Sequence, residues 1–400
     1  MRTRWPFRVV VMLAGAALCY GAAVLALAPV ERKRHPDRAL KLVPFDAQAL
    51  AGSAFVAIAS NQSPATLERA GAAARRALAR EPINVTALRT LGLVAAARRN
   101  NSQAEASFRL VEKLSRRDLP TQIWWIEHEV ARESVPGALK YFDEALRTSP
   151  RSSDILLPVL VNAMVEAEIA REVRPFLSSR PSYFRQFFIQ ATDTTPNINH
   201  VATLGMQLLD RQSADDRDLI NRIILRFGRD KKFESAWRVF SWGNGGKPFG
   251  TLVNGDFESP NLFSLFHWNA PENDTLSAET SAREGSNVLY LVARGPRGVA
   301  SRQLLRLAPG QYELSAQVGD VPDARIDRPS IDVECASGSK QALAPVAFPP
   351  SPNLASTLRA QFEVAPGCPF QWLNLRASSS TEEETRAWID NIEIRQRKNR

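Results

Sequence analysis

Two spacings of apolar residues divide this chain. Over residues 63–242 apolar positions recur three and four apart among Ala, Leu, Arg and Glu, which gathers them on one face of a helix. After the break Gly243-Asn244-Gly245-Gly246 the period drops to two, most cleanly in Gln311-Tyr312-Glu313-Leu314-Ser315-Ala316-Gln317-Val318, a half-buried strand entered through Ala308-Pro309-Gly310. Further short strands are predicted over 288–292, 330–335, 356–364, 371–377 and 387–394. Many short strands at this spacing predict an all-β sandwich, so the expected fold class is multidomain, α followed by all-β.

Residues 9–30 carry no charge, follow Arg2, Arg4 and Arg8, and precede Glu31-Arg32-Lys33-Arg34. As a helix such a run would extend roughly 33 Å, enough for a hydrocarbon core of about 30 Å. Ala26-Leu27-Ala28 offers a signal-peptidase site, but Pro29 directly after it disfavours cleavage. The reading is a transmembrane helix over 1–30, with an uncleaved signal as the alternative. Residues 31–50, containing Pro36 and Pro44, read as a linker, 51–242 as a helical domain, 243–250 as a second linker and 251–396 as the sandwich.

The helical region repeats itself at 34 residues. Ala70, Ala104 and Ala138 align, then Ala74, Phe108 and Phe142, then Ala77, Val111 and Ala145, with Pro82 and Pro150 closing the first and third copies. Small residues where two helices approach, a large one wedged between them and a terminating proline resemble the tetratricopeptide repeat. One helix pair cannot bury both of its faces, so the copies are expected to stack. The resemblance implies a groove that docks a protein partner, with Trp124, Trp125 and Tyr141 able to line it or to form core.

In the C-terminal region the order of 252–258 (LVNGDFE), the pair His267-Trp268, 309–318 (PGQYELSAQV), 364–377 (VAPGCPFQWLNLRA) and 388–394 (WIDNIEI) resembles the jelly-roll, galactose-binding-like carbohydrate-binding modules attached to xylanases and glucanases. The resemblance implies that the first and last strands pair. It also implies a structural calcium held by Asp256, Glu258 and Asp390, residues that equally suit plain turn chemistry. Trp268, Trp372 and Phe266 become candidate platforms for a polysaccharide, with Gln371, Asn374 and Arg376 as polar neighbours; each tryptophan also suits a core position.

The formal charge of +9 is uneven: residues 1–41 hold eight Lys/Arg against two Asp/Glu, and residues 251–400 hold 15 against 18. No basic stripe is interleaved with stacking aromatics, which argues against nucleic acid. Cys335 and Cys368 either bridge or stay as buried thiols, while Cys19 lies in the apolar N-terminal run. Four histidines without a zinc spacing, and no nucleophile-elbow or phosphate-loop motif, argue against an enzyme. These features together predict a non-catalytic, membrane-anchored bacterial carbohydrate-binding scaffold acting in exopolysaccharide or cell-surface glycan assembly or export. Its place would be the inner membrane, single-pass, with the body periplasmic. Beside it stand an assembly scaffold whose domains both bind proteins, and an accessory subunit of a glycoside hydrolase. No cofactor beyond the calcium is expected.

Overall fold

A computed structural model describes residues 30–32, 34–245, 252–270, 274–338, 341–352, 354–380 and 383–397. The chain forms two compact units. One runs up to Leu160 and takes in Pro181–Tyr183; the other holds Val161–Arg180 and the chain from Phe184 on.

The first unit begins with α1 (Pro36–Leu42) and continues as helix pairs: α2 (Ala47–Ser60) with α3 (Pro64–Leu78), α4 (Val85–Ala97) with α5 (Asn101–Leu114), and α6 (Leu119–Ala131) with α7 (Val135–Thr148). Each start from α2 to α6 is set locally. Asp46, Ser63, Asn84, Asn100 and Asp118 accept the amide three residues on, and Pro64, Pro120 and Pro136 open the first turns of α3, α6 and α7. All nine repeat positions aligned above are buried. Gly92 of α4 shows why a small residue is needed: a Cβ there would stand 2.9 Å from Cζ of Phe108 on α5, so the ring fills the space that the missing side chain leaves. Phe108 in turn stacks on Trp124 at 4.3 Å, and Trp125 stacks on Tyr141 at 5.3 Å, which places both tryptophans in packing between helices.

Among the described residues no helix is long and apolar enough to cross a membrane. That finding overturns the expectation of a single-pass inner-membrane protein with a periplasmic body, and it gives no support to the membrane as a partner. The apolar run that prompted it lies, except for Val30, outside the described residues.

After α8 (Ser152–Ala163) the second unit carries the short helices α9 (Ala167–Glu172) and α10 (Arg174–Ser178), then α11 (Phe184–Thr194), α12 (Ile198–Leu208), α13 (Ala214–Arg229) and α14 (Phe233–Gly243). The aromatic run of α11 is core: Phe184, Phe187 and Phe188 are buried. Its sandwich has nine described strands: β1 (Leu276–Arg283), β2 (Ser286–Ala293), β3 (Gly298–Leu305), β4 (Gly310–Gly319), β5 (Ser330–Cys335), β6 (Gln341–Ala347), β7 (Ser356–Val364), β8 (Gln371–Ala377) and β9 (Thr385–Gln396). A five-stranded sheet in the order β1-β2-β9-β4-β7 faces a four-stranded sheet β3-β8-β5-β6, every pairing antiparallel. Alternate residues such as Leu289, Leu291, Leu314, Ala316, Ile331, Leu373 and Ile389 fill the space between. Cys335 and Cys368 form a disulfide with their Cα atoms 5.6 Å apart, tying the end of β5 to the turn before β8.

The two bracketing stretches do meet, but not as paired strands. Residues 252–258 form turns, and Ile392 N of β9 donates to Gly255 O at 2.9 Å. Asn254 and Phe257 adopt φ of 53° and 55°, the left-handed region, which an extended ladder excludes. Gly255 itself has no room for a side chain against the Ile392 carbonyl.

Helices α13 and α14 dock onto the sandwich inside this unit. Phe240 stacks on Phe266 at 4.6 Å and meets Phe263 edge-on at 5.7 Å, while Trp237 meets Phe266 edge-on at 5.3 Å. Phe233 lies 5.8 Å from Phe370 and 6.3 Å from Trp372. Asn221 of α13 accepts from Ser264 N at 3.0 Å, and Arg306 donates to Glu234 at 3.0 Å.

Candidate functional site

Strand alternation sends one set of side chains into the sandwich and the other to the open side of the five-stranded sheet. On that open side the register aligns Glu279 of β1, Tyr290 of β2, Trp388 of β9 and Gly319 of β4 in one row. Gly319 is the seat of the row. A Cβ there would penetrate the Trp388 indole, so the ring lies flat on bare backbone. Arg283 covers the indole, its Cζ 5.0 Å from the ring centroid, and is held by Asp320 at 2.8 Å. Trp388 is thereby buried, and its Nε1 has no hydrogen-bond partner among the described residues.

Next to it the Tyr290 ring is half-buried, with the exposed Arg386 guanidinium 4.1 Å from its centroid. Arg386 also borders a cleft of about 220 Å³ lined by Ser277, Glu279, Val292 and the Arg294–Glu384 ion pair, whose closest approach is 2.6 Å. The cleft thus offers hydroxyl, carboxylate and guanidinium groups of both signs beside an aromatic face. This combination can stack on the apolar face of a sugar ring and hold its hydroxyls in the ring plane. Gln317, half-buried, and Thr357 and Arg359, exposed, extend the same face onto β4 and β7.

The six saccharide contacts expected from sequence are elsewhere. Trp268 is 4% exposed, packs on Phe257 at 5.6 Å and spends its indole N–H on Asn254 O at 2.9 Å; it is core. Phe266 is fully buried under α14. Gln371 is fully buried and accepts from Leu307 N at 2.9 Å. Trp372, Asn374 and Arg376 do alternate outward from β8, but on the four-stranded sheet. There Phe233 meets Trp372 edge-on, and Arg302 stacks on it at 4.4 Å. Asn374 is 1% exposed and donates to Asp332 at 2.9 Å and Glu334 at 3.0 Å. Arg376 pairs with the fully buried Asp332, which raises the arginine's pKa. Asn374 is thus spent on folding, while Trp372 and Arg376 stay half-buried beside Phe233, Arg302 and Asp332.

Asp390 is buried, and its pKa is raised first by that burial and then by the charges of Glu258 and Asp256. The three carboxylates are therefore neighbours. Their oxygens are nonetheless engaged: Glu258 accepts from Ser286 Oγ, Asn287 N and Asn287 Nδ2 at 2.8, 2.7 and 2.7 Å, and Asp390 accepts from Asn391 N at 2.6 Å. Among the described residues no group of three or more His, Cys, Asp or Glu side chains is placed to hold a metal ion.

His267 of the expected aromatic pair is also buried. Its Nδ1 accepts from Leu262 N at 3.1 Å, and burial lowers its pKa to about 4, so it packs neutral against Phe240 and Phe263. Sequence reasoning missed Tyr290, Arg386 and Glu279. The signal was available in Val288-Leu289-Tyr290-Leu291-Val292, where Tyr290 falls on the face opposite the two leucines.

No family model matches the chain, and no curated protein matches it. Similar solved structures include tetratricopeptide-repeat proteins over the helical part and carbohydrate-binding modules over the sandwich. The pilF protein of Pseudomonas aeruginosa is 18% identical, covering 56% of this chain and 96% of its own, with a TM-score of 0.28. The CBM22-1 xylan-binding domain of Paenibacillus barcinonensis Xyn10C is 15% identical, covering 32% of this chain and 85% of its own, with a TM-score of 0.27. The enzymatically active domain of bacteriophage CBA120 tailspike protein 4 is 16% identical over 36% of this chain, at a TM-score of 0.27; the match spans only 21% of the tailspike chain. At such TM-scores the likenesses bear on no functional question.

Proposed function

We propose that this chain is a non-catalytic carbohydrate-binding scaffold. The open side of the five-stranded sheet takes a saccharide, and the helical repeats of the first unit dock a protein. The observation that carries the reading is the Tyr290 ring, reachable from solvent beside Trp388 on its glycine seat and bordered by a cleft of mixed charge. A repeat array and a sugar-binding sandwich in one chain suit the assembly or export of a bacterial exopolysaccharide or cell-surface glycan, where a polymer and its machinery must be held together.

Affinity electrophoresis of the full chain through gels containing polysaccharides is the direct test. Retardation by at least one polymer is expected. Tyr290→Ala is expected to weaken it about tenfold, since aromatic contacts are worth about 0.5–1.5 kcal/mol beyond the area they bury. Arg386→Ala should act in the same direction. Retardation by no polysaccharide, or retardation indifferent to both substitutions, would remove the saccharide from this face. One observation favours a second reading, in which the sandwich is a protein-contact module: Arg283 lies over Trp388 and hides the larger ring.

A further inference from the structure

The first unit contains a groove of about 860 Å³ where the turn before α4 and one side of α2 meet the chain around residues 32–36. Its lining is unusual in charge. Arg32, Arg34 and Arg89 face it with a single carboxylate, that of Glu81, which already accepts from Asn84 Nδ2 at 2.9 Å. Arg89 pairs with Asp118 and lies over the Phe55 ring at 4.1 Å, and Arg32 donates to Gln48 at 2.8 Å and approaches Asp46 at 3.4 Å. In both arginines the Nε is buried and has no hydrogen-bond partner among the described residues. Arg34 is exposed and makes no hydrogen bond or ion pair among the described residues.

Two further features point the same way. The groove includes Val85 and Thr86, the first residues of the 13-residue helix α4, whose opening amides lie beyond the reach of helical carbonyls and favour negative charge. At its rim Ile83 is 75% exposed and Val56 is 50% exposed, so two branched aliphatic side chains flank the same groove as the cations. Cations and amides alone would suit any anion. Aliphatic side chains beside them favour a ligand that is apolar as well, and planar guanidinium groups match carboxylates in geometry.

We infer that this groove takes an acidic, apolar peptide of a partner protein, in which leucine or valine side chains alternate with carboxylates. The inference rests on the reading that the repeats dock a protein, and it names the chemistry and the place of that docking.

The test is fluorescence anisotropy of the full chain with three labelled ten-residue peptides of one apolar pattern. The intervening positions are Asp and Glu in the first, Asn and Gln in the second, and Lys in the third. The acidic peptide should bind at least about tenfold tighter than its amide counterpart, with affinity falling as salt rises. Arg34→Glu should reduce that affinity about tenfold or more while leaving the circular dichroism spectrum unchanged, because Arg34 holds nothing else in place. Ile83→Asp should also reduce it. Equal binding of the acidic and amide peptides, or acidic binding indifferent to Arg34→Glu, would overturn the inference. If the amide or Lys peptide binds and is lost in Ile83→Asp, the acidic chemistry fails while docking in the groove stands. If none of the three binds, the docking reading fails with it.

Discussion

A methyl group added at Gly319 would run into the Trp388 indole, which has Arg283 above it and backbone below. Gly319→Ala should therefore destabilise the second unit by about 1–3 kcal/mol, the usual penalty for overfilling a closed site, and lower its melting temperature by several degrees. Thermal melts followed in the near-ultraviolet would register it; an unchanged midpoint would show that the ring is not seated on this residue. Gly92 under Phe108 plays the same part between α4 and α5. At this scale the sequence was a poor guide to the site. Trp268, Phe266 and Gln371 have the right chemistry to meet a sugar, but composition cannot say which side of a sheet, or which helix, will cover a ring. Tyr290 was the legible one, since alternation alone turns it away from Leu289 and Leu291.

Among the elements, those with a strong period were read well and those without were not. Strands β5, β7 and β8 fall on their expected bounds, and β4 and β9 within a few residues, because each pairs a clean alternation with a turn signal. Strand β1 went unread. Leu276–Arg283 holds mostly small and polar residues, as an edge strand can, and only pairing with β2 makes it extended. Strand β6, with Pro345 inside it, is likewise held by β5. The 252–258 stretch was expected to pair as a strand only because the resemblance implied it; its apolar residues do not alternate, and the left-handed Asn254 and Phe257 turn it instead. The largest surprise among the elements is the attachment of α13 and α14 to the sandwich. A fragment of residues 251–397 would leave Phe263, Phe266, Phe370 and Trp372 without their helix partners. It is expected to bind a hydrophobic dye and to aggregate, whereas residues 184–397 should melt cooperatively as a monomer. Size-exclusion chromatography and calorimetry of the two fragments would decide. A well-behaved shorter fragment would mean that the aromatic contacts are incidental.

For the molecule as a whole, each unit presents a surface of its own chemistry. The first offers arginines and aliphatic rims, the second aromatic rings with charges of both signs. The two proposed binding activities can therefore be tested in one preparation, with ionic strength as the variable that separates them. The peptide groove should weaken as salt is added. The sheet face should respond in the opposite sense, and the reason is the guanidinium over Trp388. A sugar that stacks on that indole has to move Arg283 aside, and Arg283 is held by its ion pair with Asp320. Dissolved ions weaken such a partly exposed pair, so the displacement becomes easier as they accumulate. Saccharide affinity, measured calorimetrically from low to high sodium chloride, should rise. Arg283→Ala should remove the part of the salt dependence that comes from the Arg283–Asp320 pair, leaving a smaller one from the charged cleft, and an unchanged rise with salt would overturn this reading.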